Sequence, residues 1–299
     1  MSSNGGRATH VSITSRYRDV PAPSGGSIPA LAVTGRAARA VVATLVVSGY
    51  MAMGFLLGMS AETYLLLGIP ITVAFQTLVV RRPLRALWLR DAPGVAFTRR
   101  SILASAMLAV APAGIAVRGL LRGDPILAAY GLAAVIGAIG AVYALRAMDR
   151  SSVRMAVQAS LVSGAILVAV MVAFRAGTGG FHGNIGGALG SALVSVATYL
   201  PAVFVIEEVF FRGLLDPYLR GSTAGPERAS ALYGSALWGI WHLPVVSIGL
   251  GPLTIPYLVT VHTVLGYVLV NSWRRTGNLA VPGIAHAFAD ALRNAVAVL

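Results

Sequence analysis

The sequence predicts an all-α, polytopic transmembrane bundle of about nine spans, with eight the smaller alternative. Three observations predict it. The chain of 299 residues is 57% hydrophobic and only 11% charged, whereas a soluble domain carries about 25% charged residues. Its mean hydropathy is +0.78. Apolar runs approaching the roughly 20 residues needed to cross a bilayer recur almost end to end, which favours one helical bundle over two soluble domains.

Residues 1–36 are polar, rich in Ser, Gly and Pro, and carry scattered Arg. They read as a disordered cytoplasmic tail. No apolar core follows a short basic start there, so they are not read as a signal peptide. Nine apolar segments follow: 39–59, 64–80, 102–117, 126–145, 156–174, 188–206, 229–248, 253–272 and 279–298. The third is the shortest. The first five belong to an N-terminal helical part, 37–187, and the last four to a second part, 188–299. Between the fifth and sixth, residues 175–187 hold six glycines and read as a mobile loop on the outer side.

Charge sets the expected orientation. All 23 basic residues are Arg, against ten carboxylates. With the N-terminus in the cytoplasm, 19 arginines fall on the inner side and 4 on the outer, the positive-inside asymmetry of a multi-pass cell-membrane protein. The arginines flank apolar spans, so the bilayer is the expected partner and nucleic acid is not. Arg293 lies within the last span and needs a partner or an interfacial position. Cysteine is absent, which excludes disulfides, thiolate metal sites and a cysteine nucleophile.

Ionisable residues at membrane depth cost roughly 2.5–3.5 kcal/mol each on insertion scales, so a chain that retains them there uses them. Three clusters stand out. The first is Glu207-Glu208-x-x-x-Arg212. On a helix, Glu208 and Arg212 share a face and pair, while Glu207 projects about 100° away and is free to face a cavity. The second is Trp238 with His242, four residues apart and followed by Pro244. The third is His286 with Asp290, again four apart, where the carboxylate would fix the imidazole tautomer. His262, mid-span, belongs to no pair and reads as a packing residue. His10 and His182 fall in expected flexible segments and read as solvated.

Together these groups suit hydrolysis of a peptide bond. A carboxylate activates water as general base, a histidine aids it or donates a proton, and positioned donors stabilise an oxyanion. Alternatively, Glu207, His242, His286 and Asp290 would hold a divalent metal such as zinc that acidifies its water. Neither H-E-x-x-H nor G-x-S-x-G occurs.

The three clusters in this order resemble the motifs of the CPBP family, which comprises CAAX prenyl endoproteases and bacteriocin-processing or immunity proteins, also called the Abi family. The stretch Arg275-Thr276-Gly277-Asn278-Leu279-Ala280-Val281-Pro282-Gly283-Ile284-Ala285-His286-Ala287 resembles the family's lead-in to its third motif. The resemblance covers 188–299 and implies a catalytic core there, an intramembrane endopeptidase, described in the family both as a metalloprotease and as a metal-independent glutamate protease. It implies Glu207 as the water-activating carboxylate and His242 as its partner. It implies His286 and Asp290 as metal ligands or oxyanion stabilisers, with Glu208, Arg212 and Trp238 in support. Trp238 stands where Phe is commoner. Asp290 stands where the prenyl endoproteases have Asn, and a carboxylate accepts but does not donate. The substrate expected is a bacterial peptide or membrane-protein segment. Two other readings compete: a non-catalytic membrane scaffold or immunity protein, and a proton-coupled transporter. Against transport, the polar groups crowd the last four spans without a counterpart in the first half.

Overall fold

The computed structural model describes residues 35–90, 97–178, 180–181, 183–221, 227–245 and 251–299. The expected N-terminal tail, apart from its last two residues, and both His10 and His182 lie outside the described residues. Within them the chain is helical, without a strand; a single antiparallel bridge joins Leu89 to Asn278.

The helices are α1 (Arg36–Leu56), α2 (Ala61–Ala74), α3 (Arg99–Leu121), α4 (Pro125–Arg146), α5 (Arg150–Thr178), α6 (Ile185–Val203), α7 (Asp216–Arg220), α8 (Glu227–Trp241), α9 (Thr254–Thr276) and α10 (Ala280–Ala297). Side-chain caps fix several starts. Ser60 accepts from the Thr63 N–H, Asn184 accepts from Gly187, and Asp124 accepts from Leu127 just ahead of Pro125. Thr98 and Ser101 form a reciprocal capping pair that starts α3.

Each predicted apolar segment contains a helix, but its limits differ. Seven helical segments among the described residues are long and apolar enough to cross a membrane. The other two are α8 and α10. Helix α8 has 15 residues rather than the 20 expected, because the chain turns at His242–Val245 around Pro244. Helix α10 carries His286, Asp290, Arg293 and Asn294, which lower its hydropathy. Nor is the third segment the shortest: its capping pair and its run to Leu121 give α3 23 residues. The glycine-rich loop is also shorter than 175–187, because α5 continues to Thr178 and α6 starts at Ile185.

Two helices change winding. Residues Phe75–Val80 and Phe204–Leu215 are π-helical, and each follows a proline inside its helix, Pro70 and Pro201. Proline lacks the N–H needed for the α ladder, so the following turn is free to widen. The second π segment carries Glu207, Glu208 and Arg212. It packs against α2, α4, α8, α9 and α10, so it lies at the centre of the bundle.

The elements around it are pinned. Gly277 ends α9 in the left-handed conformation, φ 63°. Asn278 then donates through Nδ2 to the Ala144 carbonyl at 2.8 Å and accepts from the Ala280 N–H at 2.9 Å, tying the start of α10 to the end of α4. Arg274 of α9 pairs with buried Asp216 at 3.0 Å through Nε. An aromatic cluster of Tyr50, Tyr64, Phe210, Phe211 and Trp241 anchors the end of α8, with the Tyr64 hydroxyl donating to the Trp241 carbonyl at 2.9 Å.

Candidate active site

The three polar clusters meet between the π segment, α8, α9 and α10. Glu207 points toward α8. The Trp238 indole N–H donates to Glu207 Oε2 at 2.9 Å, and His242 Nε2 lies 3.5 Å from the same oxygen. The other carboxylate oxygen, Oε1, has no hydrogen-bond partner among the described residues. Both Glu207 and His242 side chains are 13% exposed.

His242 stands just past the end of α8, in the turn, rather than on the expected helical face. Its ring still contacts Trp238, and its Nδ1 lies 2.8 Å from the Trp238 carbonyl. A carbonyl only accepts, so Nδ1 carries a proton, and Nε2 is the nitrogen turned toward Glu207. His262 repeats this arrangement on α9, with Nδ1 at 2.7 Å from the Leu258 carbonyl. Its ring stacks on His242 at 4.1 Å between centroids and meets the Trp238 ring edge-on at 4.7 Å. The sequence predicts a packing role for His262; the structure puts it beside Glu207's partners. The signal that pointed to it was its cost: an unpaired imidazole in mid-span.

Glu208 faces the opposite way from Glu207. Its side chain has no exposure, and its Oε1 lies 3.2 Å from Arg212 Nη1 and 2.8 Å from His286 Nδ1. The Arg212 guanidinium lies over the Trp238 ring, 4.1 Å from its centroid. The arginine contact is one of charge rather than an aligned hydrogen bond, because no guanidinium nitrogen of Arg212 has a hydrogen-bond partner among the described residues. On α10, His286 Nε2 lies 3.5 Å from Asp290 Oδ2, and Asp290 Oδ1 pairs with Arg293 Nη1 at 3.0 Å. Arg293 thus has its partner one turn away. A line of ionisable groups runs Arg212, Glu208, His286, Asp290, Arg293, with Trp238 packed between it and Glu207.

The four residues considered for zinc do not come together as one ligand set. Both nitrogens of His286 face carboxylates, so the imidazole has no lone pair turned to a common centre with His242 and Glu207. Among the described residues no three His, Asp or Glu groups converge as metal ligands. The set Glu207, His242, His286 and Asp290, considered for zinc from the sequence, is divided here by the Trp238 ring.

Residues 189–292 match the family model for Rce1-like, type II CAAX prenyl endopeptidases. No curated protein and no solved structure matches the chain. The Rce1-like stretch begins in α6 and ends in α10, and it contains every site residue named above except Arg293. At the level of family it supports a membrane-embedded, CAAX-protease-like endopeptidase. Helices α1 to α5 lie outside it.

Proposed function

We propose that this protein is an intramembrane endopeptidase in which Glu207 activates the attacking water. The observation that carries the reading is the convergence on one glutamate. Trp238 and His242 both reach Glu207 Oε2, which leaves Oε1 for a water. Glu207 removes a proton from that water while its oxygen attacks the peptide carbonyl carbon. The proton is shared with His242 Nε2, 3.5 Å away. The tetrahedral intermediate collapses, the C–N bond breaks, and the same proton passes to the leaving nitrogen. His286, held between Glu208 and Asp290, lies across Trp238 and supplies the polar environment for the developing oxyanion. Asp290, accepting from Arg293, serves to orient His286.

On this reading residues 188–299 form the catalytic core, and the arginine distribution keeps the N-terminus cytoplasmic. The test is hydrolysis of a validated membrane-protein or peptide substrate by purified protein. Glu207→Gln keeps the shape and removes the base; its rate is expected to fall by about 10²–10⁴-fold, with no change in melting temperature. Wild-type turnover by Glu207→Gln overturns the mechanism.

A further inference from the structure

The segment between α2 and α3 is pinned along one side and open along the other. Gln76, buried in the π turn that follows α2, donates through Nε2 to the Pro83 carbonyl at 3.3 Å. The 3-10 turn Leu84–Leu87 then packs on the central π segment, so close that a Cβ on Gly213 would stand 2.5 Å from the Leu87 carbonyl oxygen. Beyond it, the Leu279 N–H donates to the Trp88 carbonyl at 2.9 Å and the Arg90 N–H to the Gly277 carbonyl at 2.8 Å. Leu87 and Leu89 are buried, whereas Arg82, Leu84 and Arg85 are exposed.

Trp88 joins this strap to α4, where its ring lies beside Gly140 and meets the Tyr143 ring at 6.3 Å between centroids. Arg85 stands one 3-10 turn before Trp88, whose N–H donates to the Arg85 carbonyl at 3.1 Å. Arg146 stands three residues beyond Tyr143 and shares its face of α4. Two arginines thus flank one aromatic pair. Helix α3 brings a third. It forms a tight hairpin with α4, in which a Cβ on Gly119 would collide with the Ala128 amide nitrogen and one on Gly131 with that of Ala116. Carried along the hairpin, this register sets Arg100 level with Ala147, next to Arg146. Arg150 then opens α5. Arg82, Arg85, Arg100, Arg146 and Arg150 are all exposed, and none has a side-chain hydrogen bond or ion pair among the described residues. Nearby Asp149 already accepts from Ser151 and from the Ser152 N–H. Leu78, Val79 and Leu84, exposed and apolar, adjoin the arginines. Unpaired guanidinium groups beside bare apolar surface match an amphiphile better than a soluble anion.

We propose that this corner of the bundle binds the phosphate of an anionic phospholipid. Arg85 and Arg146 donate to the phosphate oxygens from either side of the Trp88–Tyr143 pair, since a guanidinium offers paired N–H groups that fit phosphate. Arg82, Arg100 and Arg150 add attraction for the net negative charge of the lipid. The acyl chains lie along Leu78, Val79 and Leu84. Trp and Tyr are the side chains that settle at headgroup depth. The bound lipid braces the strap, and through it Gly213 of the π segment and Leu279 at the start of α10. The inference is independent of the endopeptidase reading, because it requires neither substrate nor cleavage.

The test titrates full-length protein in dodecyl maltoside with dioleoyl-phosphatidylglycerol or dioleoyl-phosphatidylcholine and counts bound lipid by native mass spectrometry. Phosphatidylglycerol is expected to bind about tenfold more tightly, and to raise the melting temperature by about 3 °C at roughly ten times its dissociation constant. Arg85→Gln and Arg146→Gln are each expected to weaken phosphatidylglycerol about tenfold, the loss of one charge-assisted hydrogen bond, and to leave phosphatidylcholine unchanged. Arg154→Gln, exposed at the same end of the bundle, is expected to change binding less than twofold. Melting without added lipid shows whether each variant folds; if Arg85→Gln does not, Arg146→Gln at its helix end carries the test. Oleate, an anionic amphiphile without phosphate, is expected to bind no better than phosphatidylcholine, and inorganic phosphate at matched concentration to displace nothing. Equal binding of the two phospholipids, or a loss from Arg154→Gln as large as from Arg85→Gln or Arg146→Gln, overturns the proposal, because diffuse surface charge then accounts for the binding. Oleate binding as tightly as phosphatidylglycerol removes phosphate recognition, and displacement by inorganic phosphate removes the lipid; either overturns it too.

Discussion

Replacing Glu208 separates structure from chemistry at the Glu207–Glu208 pair. Glu208 is fully buried, and among the described residues its Oε1 is the only carboxylate oxygen that faces both Arg212 and His286. Arg212 is 1% exposed and lies on the face of Trp238, with Glu207 and Asp216 acting on its charge less strongly than Glu208. Glu208→Gln therefore takes from a buried guanidinium its closest counter-charge. Breaking a buried ion pair from one side costs about 3–5 kcal/mol. At about 2 °C per kcal/mol for a chain of this size, the melting temperature falls by about 6–10 °C. Arg212→Met removes the stranded cation, so the double variant Glu208→Gln/Arg212→Met is expected to recover part of the loss, with a coupling of about 1–3 kcal/mol. The assay is thermal unfolding in detergent, with cleavage rate measured on the surviving folded fraction. A Glu208→Gln protein that melts like wild type yet cleaves nothing refutes the reasoning, because Glu208 would then act in the chemistry.

Two further outcomes follow from the geometry. A Cβ at Gly239 would stand 2.7 Å from the Leu258 carbonyl oxygen and 2.8 Å from Val259 Cα, so Gly239→Ala is expected to push α8 off α9, part His242 from His262, and cut the rate by about 10²-fold. Gly190→Ala, with open space around it, is the control and keeps the wild-type rate. For orientation, single cysteines introduced at 81 and 146 of this cysteine-free chain are expected to resist an impermeant thiol reagent applied from outside intact cells; labelling of either overturns the cytoplasmic N-terminus.

The bundle was legible because its signals are local. An apolar run of bilayer length forces a helix, since hydrocarbon offers no partner to an open backbone. Caps such as Thr98 with Ser101 mark where a helix begins. Helix ends set by distant contacts were not legible. The length of α8 depends on the turn around Pro244 and on Tyr64 holding the Trp241 carbonyl from another helix. The π winding of Phe204–Leu215 had one local sign, Pro201, and a proline states that the ladder is broken without stating how far the widening runs. The site was legible to the extent that burial makes charge expensive, which singles out Glu207, Glu208, His286 and Asp290. Pairings across helices left no periodic trace. His262 meets His242 from a separate helix, and the walls of a cavity beside Glu207, Ile115 and Tyr130 among them, are ordinary apolar residues in sequence.

Why two adjacent glutamates take different parts follows from what each one meets. Glu208 is wholly buried, with Arg212 and His286 both at its Oε1 and its Oε2 shut away from solvent, so neither oxygen is open to a substrate. Glu207 is held at one oxygen by the neutral Trp238 N–H and lines the cavity. A neutral donor orients a base without competing for the proton it must accept. The same logic applies at position 290. Where the resemblance to prenyl endoproteases leads to the expectation of an asparagine, this chain has a carboxylate that accepts, and three residues later on the same helix it has Arg293, which pairs with it at 3.0 Å. The arginine offsets the charge that the substitution adds to the span. Asp290 and Arg293 thus act as a unit whose one remaining contact toward the site is His286. On the proposed mechanism, His286 is held at Nδ1 by Glu208 and faces Asp290 with Nε2, so it contributes order and polarity on that side of Trp238 rather than a direct hydrogen bond to the oxyanion.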